Sequence, residues 1–294
     1  MKRLVNKIRQ IGIIANPDKP MCADLVRRAA RVFSGFKRTV VLDAATARVV
    51  NGRWGIAPTL LELGQRSDLL VVVGGDGTML KVAREVAGLP TPLLGINAGN
   101  LGFLTEVSPE TVQASMRQLM RGEFELEERA LLEGEIQRGS QRTLQIALND
   151  FVLSRGLTSR LIEIEVSVNQ EILTRYRCDG LIVSSPTGST AYSLAAGGAV
   201  VVPDAEVMTL TPICPHTLSI RPVVVNLRSA VRVRLLSTRL IATLAEDGQQ
   251  QTELSVDDTV TIRRSGRSVR LVRLAGGSFF STLRQKFGWS GSNV

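Results

Sequence analysis

Residues 69–78 have the sequence LLVVVGGDGT, in which an apolar, β-branched run ends in a glycine-rich turn. Such a run is typical of a strand buried on both faces of a parallel sheet. Residues 78–87 then show a helical pattern, so the segment predicts a strand, a tight turn and a helix. Strand and helix patterns alternate on both sides of it, between residues 11 and 121. The sequence therefore predicts an α/β domain in which helices flank a parallel sheet.

The hydrophobic period changes near residue 123. In the segments that follow, apolar and polar residues nearly alternate, which predicts strands with one buried and one solvated face. These segments are residues 131–136, 144–153, 162–168, 218–225, 231–235, 260–264 and 269–274. We expect a β-rich, mostly antiparallel second domain, interrupted by a helix within the small-residue-rich segment 188–198.

The C-terminal residues 279–287 have a helical pattern, and this helix is predicted to return to the first domain. The expected organisation is an α/β domain of residues 1–128, with residues 275–294 packed back on it, and a β-rich domain of residues 129–274. A chain of 294 residues is long enough for two such domains.

Composition excludes several classes of function. The chain has one histidine and three widely spaced cysteines, which argues against a histidine-based triad, a zinc site and a disulfide framework. No apolar run approaches the roughly 18 residues of a membrane helix, so we expect a soluble, cytoplasmic protein. The formal net charge of +9 suits nucleic acid or a phosphorylated small molecule equally well and does not decide between them.

The glycine-rich turn carries the strongest chemical signal. Gly74, Gly75 and Gly77 allow close backbone approach, and exposed amides before a helix N-terminus form a cradle for phosphate. Lys81, one turn into the helix, is a natural phosphate partner. A carboxylate such as Asp76 is out of place in a site that only binds an anion, whereas it suits a base for an attacking hydroxyl or a metal ligand. The alternative is a structural turn in which Asp76 caps the helix.

Three further polar segments lie next to predicted strands. Residues 94–104, LGINAGNLGFL, reach the carboxyl edge where open α/β sheets bind ligands. Asn149-Asp150 lies at the end of an alternating strand of the second domain. Residues 179–192, DGLIVSSPTGSTAY, join an apolar strand to a turn rich in hydroxyl and amide donors. Such a dense set of polar groups suits a ribose and a purine edge.

Together these segments resemble the bacterial NAD kinases. The resemblance rests on GGDGT at residues 74–78, LGFL at 101–104, Asn149-Asp150, residues 179–192, PHTL at 215–218 and SFFSTL at 278–283. The matches follow the order of the family and cover nearly the whole chain. GGDGT alone is shared with diacylglycerol and sphingosine kinases, but its combination with LGFL and PTGSTAY is far more specific.

The resemblance implies transfer of the γ-phosphoryl group of ATP, or of a phosphoryl group of inorganic polyphosphate, to NAD. The acceptor is the 2′-hydroxyl of the adenosine ribose, Asp76 is the general base, and the product is NADP. ATP is expected to bring a divalent metal ion, Mg²⁺, and no residue of the chain is predicted to form a metal site. The family also implies a cytoplasmic homodimer or homotetramer in NADP biosynthesis, with no nucleic acid or membrane partner.

The resemblance also assigns roles to single residues of a nucleotide-binding α/β domain and an NAD-binding β-rich domain. Asn149 and Asp150 hold the adenosine, and Asp179 and Tyr192 line the same pocket. Thr190 and Ala191 contact the base, and Phe103 is an apolar platform near the dinucleotide. Arg160 and Arg177 contact phosphate or ribose, and Gln249 belongs to a loop that closes on the site. The full predicted set of binding residues is Asp76, Gly77, Lys81, Phe103, Asn149, Asp150, Arg160, Arg177, Asp179, Thr190, Ala191, Tyr192, Ser193, Leu194, Ala195 and Gln249.

Two positions depart from the pattern of the family. Ala195 stands where serine is usual, so one hydroxyl contact is expected to be missing, and Asp150 stands where glutamate is commoner, which shortens the reach by one methylene. Two other functions stay open at this stage. A lipid kinase would share GGDGT but need an apolar acceptor cleft, and a catalytically silent dinucleotide-binding regulator would not need Asp76.

Overall fold

A computed structural model of the chain describes residues 5–99, 102–156, 160–237 and 241–289. The chain divides into two compact units, one of Met1–Glu128 with Val269–Val294 and the other of Arg129–Ser268. Asn100 and Leu101, which belong to the segment 94–104, lie outside the described residues. No helix within the described ranges is both long and apolar enough to cross a membrane.

The described elements follow one another in this order: β1 (Gln10–Ala15), α1 (Cys22–Gly35), β2 (Thr39–Asp43), α2 (Ala44–Val49), β3 (Gly55–Ala57), α3 (Leu60–Arg66), β4 (Leu69–Gly74), α4 (Asp76–Glu85), β5 (Leu93–Asn97), α5 (Val112–Met120), β6 (Phe124–Arg138), β7 (Gln141–Ala147), β8 (Asp150–Ser154), β9 (Ile162–Val168), β10 (Glu171–Cys178), β11 (Gly180–Ser184), a 3₁₀ helix (Thr187–Thr190), α6 (Tyr192–Ala195), β12 (Val207–Ile213), β13 (Val223–Asn226), β14 (Val231–Leu235), β15 (Ala242–Glu246), β16 (Gln250–Leu254), β17 (Thr259–Leu274) and α7 (Phe279–Phe287).

The first unit has the predicted α/β architecture. Its strands pair in parallel in the order β5-β4-β1-β2-β3, and the last part of β17 pairs in parallel with β5. β4 is buried along its whole length, as its apolar run predicts. α1 buries a face of apolar residues at helical spacing, namely Leu25, Val26, Ala29, Val32 and Phe33.

The second unit is mostly antiparallel, as the alternating segments predict. One sheet has the order β13-β12-β11-β8-β15-β16, and β9, β10, β14 and the first part of β17 form antiparallel pairs in another. Alternate residues of β9 are buried between the sheets, Ile162, Ile164 and Val166, while Glu163 and Glu165 are not. This is the pattern expected when one face of a strand meets the core.

Several details differ from the sequence-based expectations. The segment 144–153 is two strands, β7 and β8, so Asp150 begins a strand and does not end one, and the strand predicted at 218–225 begins only at Val223. The chain returns to the first unit at Val269 and not at residue 275. The two strands predicted at 260–264 and 269–274 are one continuous strand, β17, which runs through this boundary. Segment 188–198 holds only the short 3₁₀ helix and α6. The C-terminal helix α7 is part of the first unit, as predicted.

Candidate active site

The carboxyl ends of three neighbouring strands of the first unit bring three loops together. The backbone N–H of Asn16, just after β1, donates to the carbonyl of Val73 in β4 at 2.9 Å. The N–H of Ala98, just after β5, donates to the carbonyl of Gly74 at 2.6 Å. The loop after β1, the glycine-rich turn and the loop after β5 therefore meet at one edge, where open α/β sheets bind ligands.

Asp76 does not cap the helix that it begins. The N-cap residue of α4 is Gly75, and no side chain accepts a hydrogen bond there. The Asp76 carboxylate instead accepts hydrogen bonds from the backbone N–H groups of Phe103 at 2.8 Å and Leu104 at 3.1 Å. The hydroxyl of Thr105 lies 3.4 Å from Oδ1. The structure therefore does not support the capping interpretation, and it shows a carboxylate held by the loop after β5.

Gly102 makes this arrangement possible. A β-carbon placed on Gly102 would lie 1.8 Å from Oδ1 of Asp76, which no side chain tolerates. The glycine of the LGFL segment thus gives the carboxylate room to reach the amides of the following residues. The sequence alone gave no reason to connect these two positions.

The C-terminal helix covers the ring of Phe103. The ring centroids of Phe279 and Phe287 both lie 6.2 Å from that of Phe103. The Lys286 ammonium lies 4.8 Å from the Phe103 centroid, which is cation–π geometry. The SFFSTL motif begins α7 with a capping box between Ser278 and Ser281. The helix therefore fixes the loop whose amides hold Asp76.

Lys81 and Lys19 differ in how close their side chains lie to the glycine-rich turn. The side chain of Lys81 is exposed on α4, and the structure gives no contact between it and the turn among the described residues. Lys19, in the loop after β1, lies close to the turn: a β-carbon on Gly75 would be 3.4 Å from its ammonium nitrogen. Sequence reasoning missed Lys19, because only the pairing of β1 with β4 brings its loop to the turn.

The second unit gathers a different group of polar residues around the start of β8. β8 lies between β11 and β15 and runs antiparallel to both, so Asp150 pairs with Ser184 at the end of β11. The backbone N–H of Ser185 donates to the carbonyl of Asn149 at 2.8 Å. A β-carbon on Gly188 would lie 2.1 Å from that carbonyl oxygen, so the glycine of the PTGST turn is required for this close packing.

Asp247 anchors the Asn149-Asp150 segment. Its buried carboxylate accepts the N–H groups of Leu148 at 3.1 Å, Asn149 at 2.7 Å and Asp150 at 3.3 Å. Burial raises the pKa of the Asp150 carboxyl to about 7, and the negative charge of Asp247 adds to the rise. The site therefore holds a carboxyl group that titrates near neutral pH, which the sequence did not indicate.

The turn after β11 presents its residues in different ways. Tyr192 is 49% exposed, so it is not a core aromatic residue. Ser193 is fully buried, with its hydroxyl 2.9 Å from that of Thr211, so this hydroxyl serves the fold. The other predicted residues of the turn are half-buried or exposed: Thr190, Ala191, Leu194 and Ala195. Contacts between these residues and a dinucleotide stay predictions.

Asp179 lies at the opposite end of β11 from Ser184. Its neighbour Gly180 pairs with Ser154, whereas Ser184 pairs with Asp150, so four residues, or about 14 Å along a strand, separate these pairs. Asp179 forms an ion pair with Arg155 at 2.8 Å. Arg160 and Arg177 are exposed near the same end. Within one chain, Asp179 therefore lies at the end of β11 away from Asp150, and its contact with the dinucleotide stays a prediction. Gln249 lies at the Asp150 end, in the turn that carries Asp247.

Apart from Asp76 at the glycine-rich turn, the described residues offer no cluster of side chains that could hold a metal ion. Within the described ranges, no group of three or more histidine, cysteine, aspartate or glutamate side chains is placed to hold a metal ion. An ion such as Mg²⁺ that is bound through substrate phosphates and water needs only one or two carboxylates. Asp76, at the phosphate-type turn, fits that more modest requirement.

Comparison with known proteins relates both units to one family. The model of the ATP-NAD kinase N-terminal domain matches residues 11–124, and that of the ATP-NAD kinase C-terminal domain matches residues 148–274. An NAD kinase of Nitrosomonas europaea is 42% identical over 255 residues, 86% of each chain. The crystal structure of yeast NADH kinase complexed with NADH matches with a TM-score of 0.88 at 25% identity, over 98% of this chain and 89% of that one. An NAD kinase from Archaeoglobus fulgidus in complex with ATP matches with a TM-score of 0.74 at 25% identity, over 95% of this chain and 97% of that one.

Proposed function

The chain belongs to the ATP-NAD kinase family and phosphorylates NAD to NADP with ATP; we propose that Asp76 is the general base of this reaction. The observation that carries the proposal is the placement of its carboxylate. Two backbone amides hold it beside a turn with a helix N-terminus behind it. A carboxylate has about four lone-pair positions, so two amide bonds leave room for the proton of a hydroxyl.

The transfer then needs one proton acceptor and one phosphate cradle. The 2′-hydroxyl of the adenosine ribose attacks the γ-phosphorus of ATP, its proton passes to Asp76, and the bond from that phosphorus to the β–γ bridging oxygen breaks to release ADP. Positioning and charge stabilisation dominate such transfers. The positive end of the α4 dipole lies at the turn and stabilises the negative charge of the phosphate oxygens.

We propose that Mg²⁺ enters the site bound to ATP. Asp76 is the one carboxylate of the first unit that we assign as a ligand of this ion. The ion, when bound, neutralises charge on the phosphates during transfer. Mg²⁺ usually keeps several waters and binds through one or two carboxylates and substrate phosphates, so one carboxylate at the turn is sufficient.

In the second unit, we propose that the start of β8 recognises the adenosine. Asn149 supplies an amide, Asp150 a carboxyl group and the turn of Thr190, Ala191 and Tyr192 further polar groups. Because Asp247 holds the backbone of residues 148–150, the side chains of Asn149 and Asp150 are pre-positioned. Such pre-organisation reduces the entropy lost on binding.

The two alternatives from the sequence are not favoured. A lipid kinase lacks support because the relatives that match over most of the chain are NAD kinases. A silent regulator is not favoured either, since the family is one of active kinases and Asp76 is intact.

The cellular setting is also part of the proposal. We propose a cytoplasmic enzyme of NADP biosynthesis that acts as a homodimer or homotetramer. The sheet of β9, β10 and β14 carries both signs of charge on its outer face, where Glu165 pairs with Arg175 at 2.9 Å and with Arg234 at 3.1 Å. A surface with both signs of charge suits contact with a second copy of itself.

A coupled assay for NADP tests the function directly. Purified protein is incubated with NAD and Mg²⁺, and with either ATP or inorganic polyphosphate as donor, and NADP is measured with an NADP-specific dehydrogenase. We expect NADP formation with ATP. The comparison of the two donors decides the phosphoryl-donor preference, and a chain without NADP formation from either donor would contradict the proposal.

A further inference from the structure

We propose that Lys19 is a further catalytic residue, which contacts the phosphoryl group of the donor while it is transferred. The inference rests on the proposed function, since it takes the glycine-rich turn as the site of the donor phosphates. Lys19 lies outside every motif that identified the family in the sequence. Its assignment comes from its position in the fold.

The loop after β1 carries Lys19 to the turn. The pairing of β1 with β4 and the hydrogen bond from Asn16 to Val73 fix the start of this loop. The N–H of Lys19 donates to the carbonyl of Asn16 at 3.3 Å, and the carbonyl of Lys19 accepts from the N–H of Cys22 at 3.0 Å. The backbone of Lys19 is therefore tied to the end of β1 on one side and to the start of α1 on the other.

The ammonium group lies between two glycine-bearing segments. A β-carbon on Gly75 and a β-carbon on Gly99 would each lie 3.4 Å from Nζ of Lys19. Gly75 belongs to the glycine-rich turn and Gly99 to the loop after β5, so the ammonium is close to both walls of the phosphate cradle. Because neither residue has a side chain, neither of them fills the space beside the ammonium.

Within the part of the chain that the structure describes, the charge of Lys19 has no protein counter-ion. Its side chain is half-buried, and no carboxylate in the described ranges lies within ion-pair distance of it. Arg273, in the same unit, pairs with both Glu127 and Glu106. A partly buried cation is costly without an opposite charge, and a phosphate group at the turn supplies that charge.

The chemistry of the transfer gives such a cation a defined task. As the new bond to the ribose oxygen forms and the β–γ bridge breaks, negative charge is spread over the transferring oxygens and the leaving oxygen. A lysine ammonium is a compact charge that binds phosphate without a fixed geometry. Lys19 therefore stabilises the donor phosphates and the transition state, while Asp76 removes the proton.

Three variants test the assignment: Lys19→Met, Lys19→Arg and Lys7→Met. Lys7 is an exposed lysine of the same unit, so its replacement removes one positive charge away from the turn. We expect Lys19→Met to lower kcat/KM for ATP by about 100-fold, the order found when one charge-stabilising donor is removed. The kcat/KM of Lys19→Arg should be at least about tenfold higher than that of Lys19→Met. Lys7→Met should have the kcat/KM of the wild type.

Binding measurements separate the role of Lys19 from a purely structural one. Titration calorimetry with NAD alone should give the same dissociation constant for Lys19→Met and wild type within about twofold, since Lys19 is assigned to the donor phosphates and adenosine recognition to the second unit. Inorganic triphosphate, the probe for the donor site, should inhibit Lys19→Met at least about tenfold more weakly than wild type.

Three results would overturn the inference. These are a kcat/KM for ATP in Lys19→Met within threefold of wild type, unchanged inhibition by triphosphate, or an equal loss in Lys19→Arg accompanied by a lower unfolding temperature. Failure of the proposed function has a different signature, because the wild-type protein would then form no NADP. Direct binding of triphosphate to wild type and Lys19→Met would still test Lys19 in that case.

Discussion

Replacing Asp76 by asparagine changes two things at the glycine-rich turn. The side chain loses its basicity, and it also loses one of two oxygens that accept the N–H groups of Phe103 and Leu104 at 2.8 and 3.1 Å. The amide NH₂ of asparagine would face one of those donors. The variant therefore tests the base and, unavoidably, the anchor of the loop after β5.

The two effects differ in size and in readout. A positioned general base contributes about 10²–10⁴-fold to rate, so kcat should fall by at least about 100-fold. The lost amide bond should lower the free energy of unfolding by about 1–2 kcal/mol, because Asp76 is half-buried and one amide bond survives. The dissociation constant for NAD should change by less than about threefold, since adenosine recognition is assigned to the second unit.

Two glycine variants distinguish the role of Asp76 as a base from its role in holding the loop after β5. Gly102→Ala keeps the Asp76 carboxylate but places a β-carbon 1.8 Å from its Oδ1, which forces the carboxylate to move. Gly35→Ala, at the end of α1 in the same unit, meets nothing within 4 Å and is the matched control. We expect Gly102→Ala to lose at least about tenfold in kcat through misplacement of the base and Gly35→Ala to behave as wild type.

Steady-state NADP formation, normalised to the folded fraction from circular dichroism, is the measurement. If Asp76→Asn keeps more than a tenth of the wild-type turnover, Asp76 is not the base and phosphate positioning carries most of the catalysis. A variant that loses its rate only in proportion to its folded fraction would make Asp76 a structural anchor.

Three further predictions concern the second unit. Asparagine can adopt the positive φ of 50° at position 247, so Asp247→Asn should keep the turn but hold residues 148–150 less firmly. KM for NAD should therefore rise several-fold, with kcat within about twofold of wild type. An unchanged KM would contradict the anchoring role. The pKa of Asp150, raised to about 7 by burial and by Asp247, means that the folded chain keeps a proton that the unfolded chain loses between about pH 4 and 7. Stability from this group should therefore fall as pH rises through that window and level off above it, and Asp150→Asn, followed by chemical denaturation against pH, should remove that slope. Ala195→Ser should improve NAD affinity by at most about 1 kcal/mol, and a large loss of activity would show that the exposed end of α6 is packed differently from that of the relatives.

Much of the fold could be predicted from the sequence, because its decisive segments are governed by local pattern. The apolar run of β4 and the helical spacing of α1 are both properties of a few consecutive residues. The continuity of β17 was missed for the opposite reason. Ser265, Gly266 and Arg267 resemble a break between two short strands, and only pairing with other strands carries the chain through them in an extended conformation.

The candidate site shows the same division. Asp76 and Asn149-Asp150 belong to compact motifs, so the sequence could name them. Lys19 and Asp247 act through contacts with residues that are distant in the chain, Gly75 and Leu148 respectively. Nothing in their immediate sequence signals that contact, whereas the parallel pairing of β1 with β4 and the antiparallel pairing of β15 with β8 produce it.

The position of Asp179 has a consequence for how the dinucleotide is recognised. The motif that runs from residue 179 to residue 192 is continuous in sequence, but β11 follows Asp179 directly, and the pairs that its two ends form with β8 lie about 14 Å apart. Asp179, tied to Arg155, and Asp150, tied to the turn of Asp247, therefore present separate polar groups at opposite ends of one strand pair. If both contact NAD, they contact different parts of the dinucleotide or belong to different copies of the chain. Loss of Asp179 should then affect NAD binding additively with loss of Asp150, as expected for sites more than about 10 Å apart.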